Sequence, residues 1–103
     1  MRVFLTGASG YIGSAVAREL VRAGHEVTGL HHLEESADVV RAAGATPMRG
    51  DIADPATYAE AAAGHDVIIH LAADPEDPAA ADAAAVDTLI EAARSHMIRD
   101  AHF

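Results

Sequence analysis

The sequence predicts an α/β protein: a parallel sheet with helices packed on both faces. Three observations carry this expectation. Short apolar runs alternate along the chain with segments of helical spacing. A glycine-rich turn from Gly7 to Gly13 joins the first apolar run to the first helical segment. Helix punctuation recurs at short intervals, with Asp-Pro at 54–55 and 77–78 as starts and Gly24, Gly44 and Gly64 as stops.

In chain order, Arg2 to Thr6 is a short apolar run ending at Gly7 and reads as a buried strand. Ile12, Ala15, Val16, Leu20 and Ala23 share one helical face, and Gly24 stops that helix. Glu26 to Leu30 is the second strand, residues 34–43 are helical in propensity, and Thr46 to Gly50 is a short third strand. Asp54 before Pro55 offers a capping carboxylate and a proline at the first helical position, opening an Ala-rich helix that runs to Gly64. Asp66 to Ala72 is the strongest strand, with Val67, Ile68, Ile69 and Leu71. Asp77-Pro78 repeats the cap and proline, and Val86, Leu89, Ile90, Ala93 and Met97 mark the face of a last helix. Ala-rich stretches at 59–63 and 79–85 read as helix surface, since Ala is the best helix former.

At 103 residues the chain is one unit or a piece of one. Half of it is apolar, but 25 of those residues are Ala. Val, Ile, Leu and Phe number 22, so the large side chains must be concentrated in a few elements. There is no Cys, which excludes disulfides, thiolate metal sites and a Cys nucleophile. There are 7 Arg and no Lys, so no step can use a lysine ammonium of this chain. A net charge of −9 repels nucleic-acid backbones and anionic lipid, and no apolar run is long enough to span a membrane. The first seven residues carry too short an apolar run for a secretory leader, so the expectation is a soluble, cytoplasmic protein.

The segment Thr6-Gly7-Ala8-Ser9-Gly10-Tyr11-Ile12-Gly13 follows a strand and opens a helix. In that setting Gly7 takes the tight turn, Gly10 lets a pyrophosphate approach the backbone, and Gly13 lets the helix pack closely on the sheet. The free N–H groups and positive dipole end of the helix then face the phosphates. A tight turn with a purely structural role is the alternative.

These residues resemble the extended and atypical short-chain dehydrogenase/reductases, which include the NAD-dependent epimerase/dehydratases. The resemblance extends through Ala23-Gly24-His25-Glu26-Val27, Gly50-Asp51-Ile52-Ala53-Asp54, Asp66-Val67-Ile68-Ile69-His70-Leu71-Ala72-Ala73 and Leu89-Ile90-Glu91-Ala92-Ala93-Arg94, in the family's order and spacing. It implies a Rossmann-like, doubly wound parallel sheet of about four strands in the order 3-2-1-4, ending before a fifth strand. Residues 1–95 would form the NAD(P)-binding domain and 96–103 a tail.

The resemblance also implies a cofactor site. Gly7, Gly10 and Gly13, with Ser9 in the loop, would hold the pyrophosphate, and Tyr11 and Ile12 would lie beside it. Tyr11 itself reads as helix–sheet packing, with the ligand contact as the alternative. Asp51 would accept a hydrogen bond from the adenine amino group with Ile52 flanking the ring, or else Asp51 is a turn residue. Ala72 and Ala73 would line the path to the nicotinamide ribose, or serve only as strand-end packing. His31 stands where NAD enzymes of the family commonly carry Asp, followed by His32. A carboxylate there suits the free 2′-hydroxyl of NAD and repels the 2′-phosphate of NADP. Its loss tilts the expectation toward NADP or use of both cofactors, unless the two histidines are merely solvated loop residues.

The seven histidines lack zinc-enzyme spacing, and His70 reads as a satisfied core residue. The acidic loop 74–78 reads as solvated rather than as a cation site. The family's Tyr-x-x-x-Lys acid/base pair is absent, because the chain has only Tyr11, Tyr58 and no Lys. Catalytic residues are therefore not assigned. The expectation is the cofactor-binding half of a reductase or epimerase. A non-catalytic dinucleotide sensor and a structural or designed α/β module are the alternatives. The fourth strand, apolar and at a sheet edge, would be open to self-association unless the tail 95–103 covers it.

Overall fold

The structure, a computed structural model, describes residues 1–71 and 86–94. Four parallel strands form one sheet in the order β3-β2-β1-β4. They are β1 (Arg2–Thr6), β2 (Glu26–His31), β3 (Thr46–Arg49) and β4 (Val67–His70). Helices α1 (Tyr11–Arg22), α2 (Ala37–Ala42) and α3 (Ala59–Ala63) alternate with the strands, and residues 86–94 are helical (α4). Short 3-10 turns at Glu34–Ser36 and Pro55–Thr57 lead into α2 and α3. The predicted doubly wound architecture and strand order are therefore present.

The central strand shows why. Successive side chains of β1 point to opposite faces, and both faces are apolar. Val3 and Leu5 join Val27 under Ala17 of α1 and Val40 of α2. Phe4 faces the other way, into a second core with Leu30, Ile52, Tyr58, Ala62 of α3 and Leu89 and Ala92 of α4. Phe4 stacks on Tyr58 and meets the His65 ring edge-on, with centroids 6.5 and 5.4 Å away. His65 is buried yet satisfied, through Nδ1 to the Ala61 carbonyl (2.7 Å) and Nε2 to Thr28 Oγ1 (2.8 Å). Pro47 lies in β3, an edge strand of the described sheet, where a missing N–H is tolerated.

Four details differ from the sequence expectation. The buried face of α1 is Gly13 and Ala17, flanked by Val16, Leu20 and Val21, while Ile12, Ala15 and Ala23 are exposed. Small residues let the helix sit close to the sheet, and this close contact sets its rotation. Asp54 does not cap a helix with its carboxylate. The chain makes one 3-10 turn, breaks at Tyr58 (φ −140°) and then starts α3, because burying Tyr58 takes precedence over helix continuity. Among the described residues the fourth strand is Val67–His70, with Asp66 and Leu71 just outside it; the Asp66 carboxylate accepts the Arg2 backbone N–H at 2.8 Å. On α4, Leu89 and Ala92 are buried while Val86, Ile90 and Ala93 are exposed. The Asp77-Pro78 start, the loop 74–78, the helix segment 79–85, Met97 and the tail 95–103 lie outside the described residues.

Among the described residues no helix is long and apolar enough to cross a membrane, and no group of His, Asp and Glu is arranged to hold a metal ion.

Candidate functional site

The C-terminal ends of the four parallel strands lie at one edge of the sheet, where open α/β folds bind ligands. The glycine loop leaves β1 there. Gly7 takes φ +73°, a left-handed conformation that a side chain disfavours, and turns the chain sharply. The Gly10 N–H closes the turn on the Gly7 carbonyl at 3.1 Å, and the Ser14 N–H then bonds the Gly10 carbonyl at 2.8 Å to begin α1. A Cβ on Gly13 would stand 1.8 Å from the Gly7 oxygen, so helix and loop touch backbone to backbone.

Gly10 differs from both. Its backbone is ordinary extended chain (φ −73°, ψ 168°), and a Cβ there would meet only the Gly7 oxygen, at 3.3 Å. No side chain caps α1, and its first turn holds no acidic residue. The amides at that helix end keep their positive potential. Ser9 is half-buried, and its hydroxyl makes no hydrogen bond among the described residues. Tyr11 is 95% exposed and Ile12 67% exposed. Tyr11 therefore plays no part in helix–sheet packing: at the helix entrance its side chain points away from the sheet.

At the end of β2, His31 is buried and its Nδ1 lies 2.8 Å from the Leu33 carbonyl. It is not a solvated loop residue, because the turn after β2 folds back over its ring. His32 is exposed, and its Nε2 lies 3.9 Å from Asp51 Oδ2. The structure thus brings the His32 and Asp51 positions together from two separate loops.

Asp51 is also a turn residue. Its Oδ1 accepts the Ala53 N–H at 2.9 Å, and Oδ2 faces His32. Thr57 braces the turn, accepting the Asp51 N–H at 2.9 Å and donating to the Asp54 carbonyl at 2.7 Å. Ile52 sends its side chain into the second core, and its carbonyl accepts the Tyr58 hydroxyl at 3.0 Å. Burial pushes the Tyr58 phenol above its ordinary value, and the nearby Asp51 and Asp54 carboxylates push it further in the same direction. Sequence reasoning missed Thr57, whose only signal is its place two residues after Pro55.

Where β1 and β4 end, Thr6 and His70 face each other in register. Thr6 Oγ1 lies 2.6 Å from His70 Nδ1 and accepts the Leu71 N–H at 2.9 Å. His70 is hydrogen-bonded as expected, but it is half-buried rather than a core residue. Ala72 and Ala73, which follow directly, lie outside the described residues. A separate groove of about 540 Å³ opens between α3 and α4 beside Glu60, Asp87 and Glu91. None of the predicted site residues lines it.

The family model described as the NAD dependent epimerase/dehydratase family matches residues 3–103. An uncharacterized protein of Schizosaccharomyces pombe is 50% identical over 72 residues, covering 70% of this chain and 24% of its own length. A sterol-4-alpha-carboxylate 3-dehydrogenase (decarboxylating) of Dictyostelium discoideum is 41% identical over 71 residues, covering 69% of this chain and 22% of its own. Among solved structures, a UDP-glucose-4-epimerase from Stenotrophomonas maltophila with bound NAD and formylated UDP-arabinopyranose superposes with a TM-score of 0.72. It is 26% identical and covers 93% of this chain and 34% of that one. The chain spans about a quarter of the length of these curated relatives. A four-stranded parallel sheet in this order, a glycine loop opening α1 and the family match agree: the chain belongs to the NAD dependent epimerase/dehydratase family and carries its Rossmann-type, dinucleotide-binding part.

Proposed function

We propose that these residues form the cofactor-binding half of an NAD(P)-dependent oxidoreductase or epimerase. The pyrophosphate sits on loop 7–13, against the uncapped end of α1. Asp51 and Ile52 hold the adenine, His31 and His32 border its ribose, and Ala72 and Ala73 border the nicotinamide ribose. The observation that carries this reading is Gly10. Its backbone suits any residue, and a Cβ would meet a single atom, the Gly7 oxygen at a tight 3.3 Å, so the fold gives less reason for a bare Cα here than at Gly13. Close approach of a phosphate gives a further one. The exposed Tyr11 and Ile12 beside it support the same reading, since a bound dinucleotide would cover apolar surface there.

When bound, the nicotinamide ring supplies hydride transfer. The chain's own residues bind and orient it: α1 amides neutralise the phosphates, and the Thr6–His70 pair fixes the ends of β1 and β4 beside it. With no Lys in the 103 residues, the chain holds no Tyr–Lys proton-transfer pair. The absence of a carboxylate at His31 favours NADP or use of both cofactors. Residence in the cytoplasm belongs to the same reading.

Calorimetry with NAD and NADP on the wild type and Gly10→Val is the test. The wild type should bind and the variant, still folded, should not. Equal binding by the two proteins would remove the loop assignment.

A further inference from the structure

Arg49, the last residue of β3, pairs in register with His31, the last residue of β2. Directly paired residues of neighbouring strands project to the same face. That face is fixed by Gly29, two residues before His31: a Cβ there would lie 2.6 Å from the Cβ of Ala8 in the glycine loop. His31 and Arg49 are thus the next pair along the strands, beyond the loop, at the ligand-binding edge.

Six arginines fall among the described residues, and four of them are paired with carboxylates. These are Arg2 with Glu26, Arg22 with Glu19, Arg41 with Asp38 and Arg94 with Glu91. The guanidinium groups of Arg18 and Arg49 make no ion pair or hydrogen bond among the described residues. Arg18 lies mid-helix in α1, away from the strand ends. Arg49 is exposed, and it alone joins an unpaired guanidinium to that edge.

The surrounding charges act in both directions. The residue at the end of β2 is an imidazole, where a carboxylate would repel phosphate. Asp51, two residues past Arg49, has one oxygen on the Ala53 N–H and the other facing His32. Glu34 and Glu35 occupy the 3-10 turn after β2.

We infer that Arg49 is a specificity-determining residue that selects the 2′-phosphate of NADP, with His31 and His32 on the other side of that phosphate. A guanidinium suits this task because its planar fork bonds two phosphate oxygens at once and stays charged at any working pH. The inference rests on the dinucleotide reading above and assigns its ribose end.

Calorimetry with 2′,5′-ADP and 5′-AMP, which differ only by the 2′-phosphate, separates the two. The wild type should bind 2′,5′-ADP on the order of tenfold more tightly, the effect of one charge-assisted phosphate contact. Arg49→Gln should lose that preference while its 5′-AMP affinity stays unchanged, which also shows that it is folded. Arg18→Gln, with the same change in net charge, should keep the preference. A preference retained by Arg49→Gln, lost equally in Arg18→Gln, or absent from the wild type would overturn the role of Arg49. Failure of both probes to bind the wild type would overturn the dinucleotide reading and this inference with it.

Discussion

The Gly7 carbonyl oxygen lies 1.8 Å from the point where a Cβ on Gly13 would stand. Both groups are backbone, so neither can swing away, and α1 can approach β1 this closely only with glycine at 13. The same carbonyl accepts the Gly10 N–H. Turn closure and helix docking therefore depend on one peptide group.

Gly13→Ala is expected to destabilise the chain by about 3 kcal/mol or more, the upper end for an overpacked site, because the obstacle is backbone. Gly10→Ala should cost far less, with only one contact at 3.3 Å. Urea unfolding of the two variants checks the contrast. Equal midpoints would mean that the loop can move away from α1.

Tyr58 makes stability depend on alkaline pH. Its folded pKa is raised, so its contribution is fully present below about pH 10, the ordinary phenol value, and is lost as pH rises through the raised one. Tyr58→Phe should cost about 1 kcal/mol at neutral pH, through loss of the bond to the Ile52 carbonyl. The variant should also lose less stability than wild type between neutral pH and the alkaline range. Stability curves of the two proteins against pH, from chemical unfolding, test the sign.

The isolated 103 residues should show no saturable turnover. General acid/base catalysis commonly contributes about 10²–10⁴-fold, and the chain has no Lys to form the family's Tyr–Lys pair. Spectrophotometric oxidation of NADH and NADPH with a panel of carbonyl substrates should stay at background. Turnover that saturates with substrate would assign acid/base chemistry to residues of this chain.

Self-association through β4 is expected. Among the described residues β4 pairs only with β1, and no Lys or Pro guards its outer edge between Val67 and Leu71. The net charge of −9 opposes association at low ionic strength, so light scattering should rise with added salt. Leu71→Lys, at an exposed position on the strand end, should reduce that rise without disturbing the core. A wild type that stays monomeric at high salt would show that the edge is covered.

By itself the sequence determined the element order, the strand–loop–helix setting of the glycines and the two-faced burial of β1. All of these are local: a period of two or of 3.6, a turn that needs a missing side chain, a proline that starts a turn. The glycine, Asp51 and His31–His32 positions were legible for the same reason, as motif residues at strand ends. Tertiary packing decided the rest. It rotated α1 onto Gly13 and Ala17, because the tightest backbone contact outweighs the widest apolar stripe, and so left Tyr11 and Ile12 in the open. It broke the helix at Tyr58 to bury an aromatic ring and gave the turn at Asp51 a brace in Thr57. It set Arg49 beside His31 and His32 near Asp51. Those pairs are 18 or 19 positions apart in the chain, and only the register of parallel strands, fixed by burial on both faces, makes them neighbours.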